Sequence, residues 1–168
     1  TVKMIVAMGT PEDMETEEDV ISTGDVATAF LQGYNFDKTL PMQYVGLRPY
    51  PSAELEVWEY EGPIYGDAEA PMNLHDTFSD FMIGTLNYNK LTKDQAEKLK
   101  MMDKLDYKQS DNEPALYYNA EKRHVVAKWV DDIFTRGKKS STQEFWDAME
   151  QRFTLKSWGV VRPQRPRV

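Results

Sequence analysis

The sequence predicts an α+β fold in which a mainly antiparallel sheet carries helices packed on one face. Three observations predict it. Residues 115–136 hold strand-like runs, ALYYN, HVVAKWV and IFTRG, separated by short polar breaks, which is the pattern of strands joined by hairpins. Residues 71–86 place Leu74, Phe78, Phe81, Met82, Thr85 and Leu86 at three- and four-residue steps, the period of a helix with one buried face. Residues 144–153 do the same through Phe145, Ala148, Met149 and Phe153.

Taken in order, residues 1–8 space Val2, Ile5, Val6 and Met8 as a helix would, and Gly9-Thr10-Pro11 breaks the pattern. This predicts the end of a helix whose start precedes the chain. Residues 12–19 are dense in acid and read as a solvated loop or first helical turn. The run ISTGDVATAFL, 21–31, predicts a strand passing into a turn or short helix around 29–33. Between 35 and 66 there are six aromatics and four prolines without helical period. Short strands are expected there, around 42–45 and 55–60. Pro71 suits the first turn of the helix 71–86. Thr92 and Asp94 suit the start of a polar helix over 92–105. Asp131-Asp132 falls at the tip of the second hairpin, and Ser141-Thr142-Gln143-Glu144 matches a capping box opening the helix 144–153. The last nine residues, VVRPQRPRV, read as a basic flexible tail over 160–168.

Composition narrows function. At 168 residues, with 40% apolar and 12% aromatic side chains, the chain suits one folded domain. No run approaches the roughly 20 apolar residues of a membrane span, and no secretory leader is evident. A soluble, intracellular protein of cytoplasm or nucleus is expected. The net charge of −8 argues against a protein that coats nucleic acid. It is uneven, however: residues 1–80 carry 3 basic and 16 acidic groups, and 81–168 carry 17 and 12. With no cysteine and only His75 and His124 as imidazoles, any metal must be held by carboxylates, which favours Mg²⁺, Mn²⁺ or Ca²⁺. The two histidines have no second imidazole at ligand spacing and read as structural or exposed. Lys138-Lys139 with Arg136 could touch a phosphate backbone, and equally suit a solvated loop.

Two adjacent carboxylates in a tight hairpin repel each other where Asn-Gly or Asp-Gly would serve better. A divalent cation would relieve that cost, and Asp25, in another apolar run, could complete its ligand set if the two strands lie side by side. Such a set suits two-metal phosphoryl or nucleotidyl transfer. The alternative is a solvated acidic turn, with Asp25 a turn residue after Gly24.

The residues around these aspartates resemble the reverse transcriptases of copia-type retrotransposons. Asp25 to Gly33, DVATAFLQG, is similar to that family's first palm motif, Asp-Val-x-x-Ala-Phe-Leu-x-Gly, and Trp129-Val130-Asp131-Asp132-Ile133 to its Tyr-Val-Asp-Asp hairpin. Between them, Ile64-Tyr65-Gly66 with Ala70-Pro71 resembles Leu-Tyr-Gly-Leu-Lys-Gln-Ala-Pro-Arg, and Phe78-Ser79-Asp80-Phe81 lies where the family's helix continues. Gln109-Ser110-Asp111 with Ala115-Leu116-Tyr117-Tyr118 resembles the stretch before the catalytic hairpin, and FTLKSWG, 153–159, resembles Phe-x-Met-Lys-Asp-Leu-Gly after it.

The resemblance implies a polymerase palm over 1–159, without the family's fingers, primer grip and thumb. It implies that Asp25, Asp131 and Asp132 ligate two Mg²⁺ ions, with Mn²⁺ possible, for RNA-directed DNA synthesis. Phe30 matches the ring that packs on the incoming sugar. Trp129, in place of Tyr, would pack near the primer end. Lys156 matches a general acid toward pyrophosphate. RNA or DNA primer-template and deoxynucleotide would be partners of the complete enzyme, with weak or no nucleic-acid binding by this fragment. The chain departs from the family where Asp67-Ala68-Glu69 stands for Leu-Lys-Gln and Met72 for Arg. These changes add negative charge beside a triphosphate, and they make a catalytically inactive palm remnant, binding at most a metal or a protein, the second expectation.

Overall fold

The computed structural model describes residues 19–36, 41, 43–48, 50–102 and 105–161. The helical pattern at 1–8, nearly all of the acidic segment 12–19 and the tail beyond 161 lie outside the described residues. The fold is mixed α+β with a mainly antiparallel sheet. The main sheet contains β1 (Asp19–Val26), β4 (Lys108–Gln109), β5 (Leu116–Asn119), β6 (His124–Trp129), β7 (Asp132–Lys138) and β8 (Leu155–Val160), in the order β4-β5-β6-β7-β1-β8. Every neighbouring pair is antiparallel. A separate ribbon pairs β2 (Gln43–Leu47) with β3 (Glu56–Tyr60). The helices are α1 (Ala70–Ile83), α2 (Lys93–Lys100) and α3 (Lys139–Arg152). No helix among the described residues is long and apolar enough to cross a membrane.

Alternation along the strands decides which face is buried. On β1, Ser22, Gly24 and Val26 are buried, and on β7 so are Thr135 and Ile133, opposite Ser22 and Gly24, and Gly137, opposite Val20. Helices α1 and α3 cover this face. Phe78 of α1 meets the Tyr117 ring edge-on at 5.5 Å, and Trp146 of α3 stacks on Trp158 of β8 at 5.4 Å. Gly24 permits that stack, because a Cβ there would stand 2.4 Å from the Trp146 ring. The Trp146 indole N–H donates to Ser22 Oγ at 2.7 Å, and Ser22 bonds Thr135 at 2.7 Å, so this buried polar group is satisfied across two strands and a helix.

Helix α1 ends at Ile83, short of Leu86, because Gly84 adopts φ +76 and turns its N–H back to Asp80, a left-handed cap that glycine adopts readily. Thr92 does cap α2, in a reciprocal box with Gln95. The capping box expected at 141–144 does not form: α3 begins at Lys139, so Ser141 and Thr142 lie buried inside the helix, with Ser141 donating to the Lys122 carbonyl at 2.9 Å. Strand β8, which period alone did not suggest, is held against β1, where Trp158 contributes to the core.

Candidate carboxylate site

The register of β1 on β7 puts Asp25 directly opposite Asp132. The Val26 N–H donates to the Asp131 carbonyl at 3.0 Å, which makes Asp25–Asp132 a non-hydrogen-bonded pair. In such pairs the Cα atoms approach to about 4.5 Å and the side chains are closest. Like charges in this position are destabilising. Asp131 adjoins them in the two-residue turn of the β6–β7 hairpin, whose other member, Val130, is held at φ +56. A β-branched residue in the left-handed region is strained, and such strain clusters at functional sites.

On the other flank, β8 pairs Ser157 with Asp25 and Leu155 with Val26, leaving Lys156 as the extra residue of a bulge. The bulge turns Lys156 onto the carboxylate, with Nζ donating to Asp25 Oδ2 at 3.1 Å. That hydrogen bond, then the charges of Asp25, Asp131 and Asp132, raises the lysine pKa. Bulges commonly re-aim a side chain in this way. The open side of the sheet here forms a depression of about 500 Å³ lined by Thr23, Asp25, Asp132, Phe134, Ser157 and Gly159 among others. Gly159, with nothing near its absent side chain, leaves room on the floor.

The remaining predicted residues flank this edge. Trp129 pairs with Asp132 across the hairpin and is 66% exposed. Phe30, on the 3-10 turn Ala29–Gln32 after β1, packs against the core and meets Tyr65 edge-on at 5.3 Å. The turn is held by Gln32, whose side chain bonds the carbonyls of Ala27 and Thr154 and the N–H of Thr154. Asp67, Glu69 and Met72 gather at the start of α1, where Asp67 Oδ1 accepts from the Glu69 N–H at 3.0 Å.

The donors of this edge are all oxygens, suited to a hard cation. Among the described residues, no group of three or more His, Cys, Asp or Glu side chains is drawn together closely enough to hold an ion. Asp25 and Asp132 stand opposite each other in register, and Asp25 is engaged by Lys156.

Three features were not legible in the pattern. Lys128 sits on the buried face of β6 with its ammonium 5.5 Å over the Phe78 ring, and burial lowers its pKa to about 8 although Asp131 opposes the shift. His124 is buried with Nδ1 at 2.5 Å from the Tyr107 hydroxyl and Nε2 unpartnered, and burial lowers its pKa to about 4. Arg152 is buried at the end of α3, donating to the Gln32 carbonyl at 2.8 Å. Lys128 and His124 share a face of β6 with Val126, but their chemistry argues for the surface, so the period of the strand alone does not put them inside. No family model, curated protein or solved structure matches this chain.

Proposed function

We propose that the chain is the palm of a copia-type reverse transcriptase, a polymerase-like sheet whose edge carries the nucleotidyl-transfer carboxylates. The observation that supports this most is the pairing of Asp25 with Asp132, with Asp131 beside them in a strained hairpin turn. Asp25 and Asp132, from two distant stretches of sequence, stand opposite each other in register, with Asp131 next in the chain, in the order of motifs the resemblance implies. When bound, two Mg²⁺ or Mn²⁺ ions would supply Lewis acidity for an attacking primer 3′-hydroxyl and charge neutralisation for departing pyrophosphate. Asp25, Asp131 and Asp132 are the residues that would hold them. Lys156 carries a proton at Nζ that can pass to the leaving group. Phe30, backed by Tyr65, offers a ring against which a deoxyribose packs, and Trp129 offers an exposed ring to the primer end.

A second reading, an inactive palm remnant, is favoured by Asp67, Glu69 and Met72 at the start of α1. Negative charge at a helix N-terminus occupies the position where a triphosphate would be drawn. Primer extension on an RNA template with Mg²⁺ decides between them. Extension that is lost in Asp131→Asn supports the polymerase; extension that persists in Asp131→Asn overturns the catalytic assignment. No extension, with Mn²⁺ still bound in an Asp25-dependent way, supports the remnant.

A further inference from the structure

We infer that Lys156 is the built-in counter-ion of the carboxylate edge, seated on the Asp25 oxygen that a divalent cation would take, so that ion pair and cation exclude one another. The inference rests on the carboxylate-site reading above. Asp25 and Asp132, directly opposite each other, repel, and a positive charge beside them relieves that repulsion. The bulge in β8 exists at the one place that aims a lysine at this pair: two consecutive residues of β1, Asp25 and Val26, are matched by three of β8. The side chains differ in exposure, 29% for Asp25 against 72% for Lys156. The aspartate is therefore the fixed member and the lysine the arm that can swing into water. A cation arriving at Oδ2 would meet both an occupied lone pair and a like charge at 3.1 Å. Binding thus requires the ammonium to leave, and leaving frees Lys156 to act on another anion.

Mn²⁺ titration of the whole chain, followed by electron paramagnetic resonance, tests this. Lys156→Met should tighten Mn²⁺ binding about two- to five-fold, the size expected for releasing an exposed ion pair. Lys156→Arg should keep wild-type affinity, and Lys98→Met, the same charge change on exposed α2, should leave it unaltered. Asp25→Asn, or Asp25→Ser should that variant not fold, should abolish the difference that Lys156→Met makes. Binding by wild type that is lost in the Asp25 variant but unimproved or weakened in Lys156→Met would overturn the counter-ion role and leave the carboxylate site standing. Absence of Mn²⁺ binding in every variant would overturn both.

Discussion

Lys128 shows how a single residue can oppose the fold that contains it. Its stem crosses the core face of β6 and its ammonium lies over the Phe78 ring, a cation–π contact that offsets part of the desolvation. The folded pKa of about 8, down from 10.5, means that the unfolded chain binds more protons between those values. Stability therefore rises as pH rises through that window, and the penalty is complete below pH 8. Lys128→Met keeps the stem and removes the charge. We expect it to stabilise the protein by about 1–3 kcal/mol at pH 7, with the gain vanishing near pH 10.5. Urea denaturation at the two pH values measures it, and an equal gain at both would contradict this account. Lysine in the run HVVAKWV reads as a surface residue, because an inward-facing charge has no signature until the opposing helix is in place.

At the scale of elements, helix ends separate what local chemistry decides from what packing decides. The Thr92–Gln95 box at α2 depends on residues within one turn, and Thr92 caps the helix where the sequence placed its start. The similar string at 141–144 was overridden, because the β7–α3 junction starts the helix at Lys139 and carries Thr142 inward with its hydroxyl unpartnered. The two threonines should thus respond oppositely. Thr92→Ala should cost about 1 kcal/mol through loss of the cap, whereas Thr142→Val should be neutral or stabilising, since it removes an unsatisfied buried hydroxyl. Thermal unfolding of both variants tests the contrast, and a larger loss in Thr142→Val would show that the hydroxyl has a role in capping. Strand β8 is the same lesson in reverse. LKSWGV has too little alternation to announce a strand, yet β1 had an unpaired edge and Trp158 had a partner in Trp146.

At the scale of the whole molecule, the buried ring of His124 contributes to acid sensitivity. It is held neutral between Tyr107 and Phe145, with the Lys122 charge lowering its pKa further and Glu144 opposing that. Its folded pKa of about 4 lies below the ordinary 6.5, so the unfolded chain takes up the proton first as pH falls. Stability should decline between pH 6.5 and 4, by up to about 3 kcal/mol. The decline should be smaller in His124→Gln. Identical pH profiles for the two proteins would remove His124 as its cause.

Much of the fold was legible in the sequence: the helical periods of α1 and α3, the hairpin around Asp131, whose turn is Val130-Asp131 with Asp132 already on β7, and the strand carrying Asp25 all depend on short-range patterns. The choice of Asp25, Asp131, Asp132 and Lys156 as candidates came from the resemblance to a family of ordered motifs. The tertiary structure alone decided that Asp25 faces Asp132 rather than a neighbouring residue, that a bulge delivers Lys156 to Asp25, and that Lys128 and His124 lie inside. The physical reason is that periodicity reports which face of an element is apolar, whereas register and burial depend on partners far along the chain. One residue of slip between β1 and β7 would send Asp25 to the face covered by Trp146.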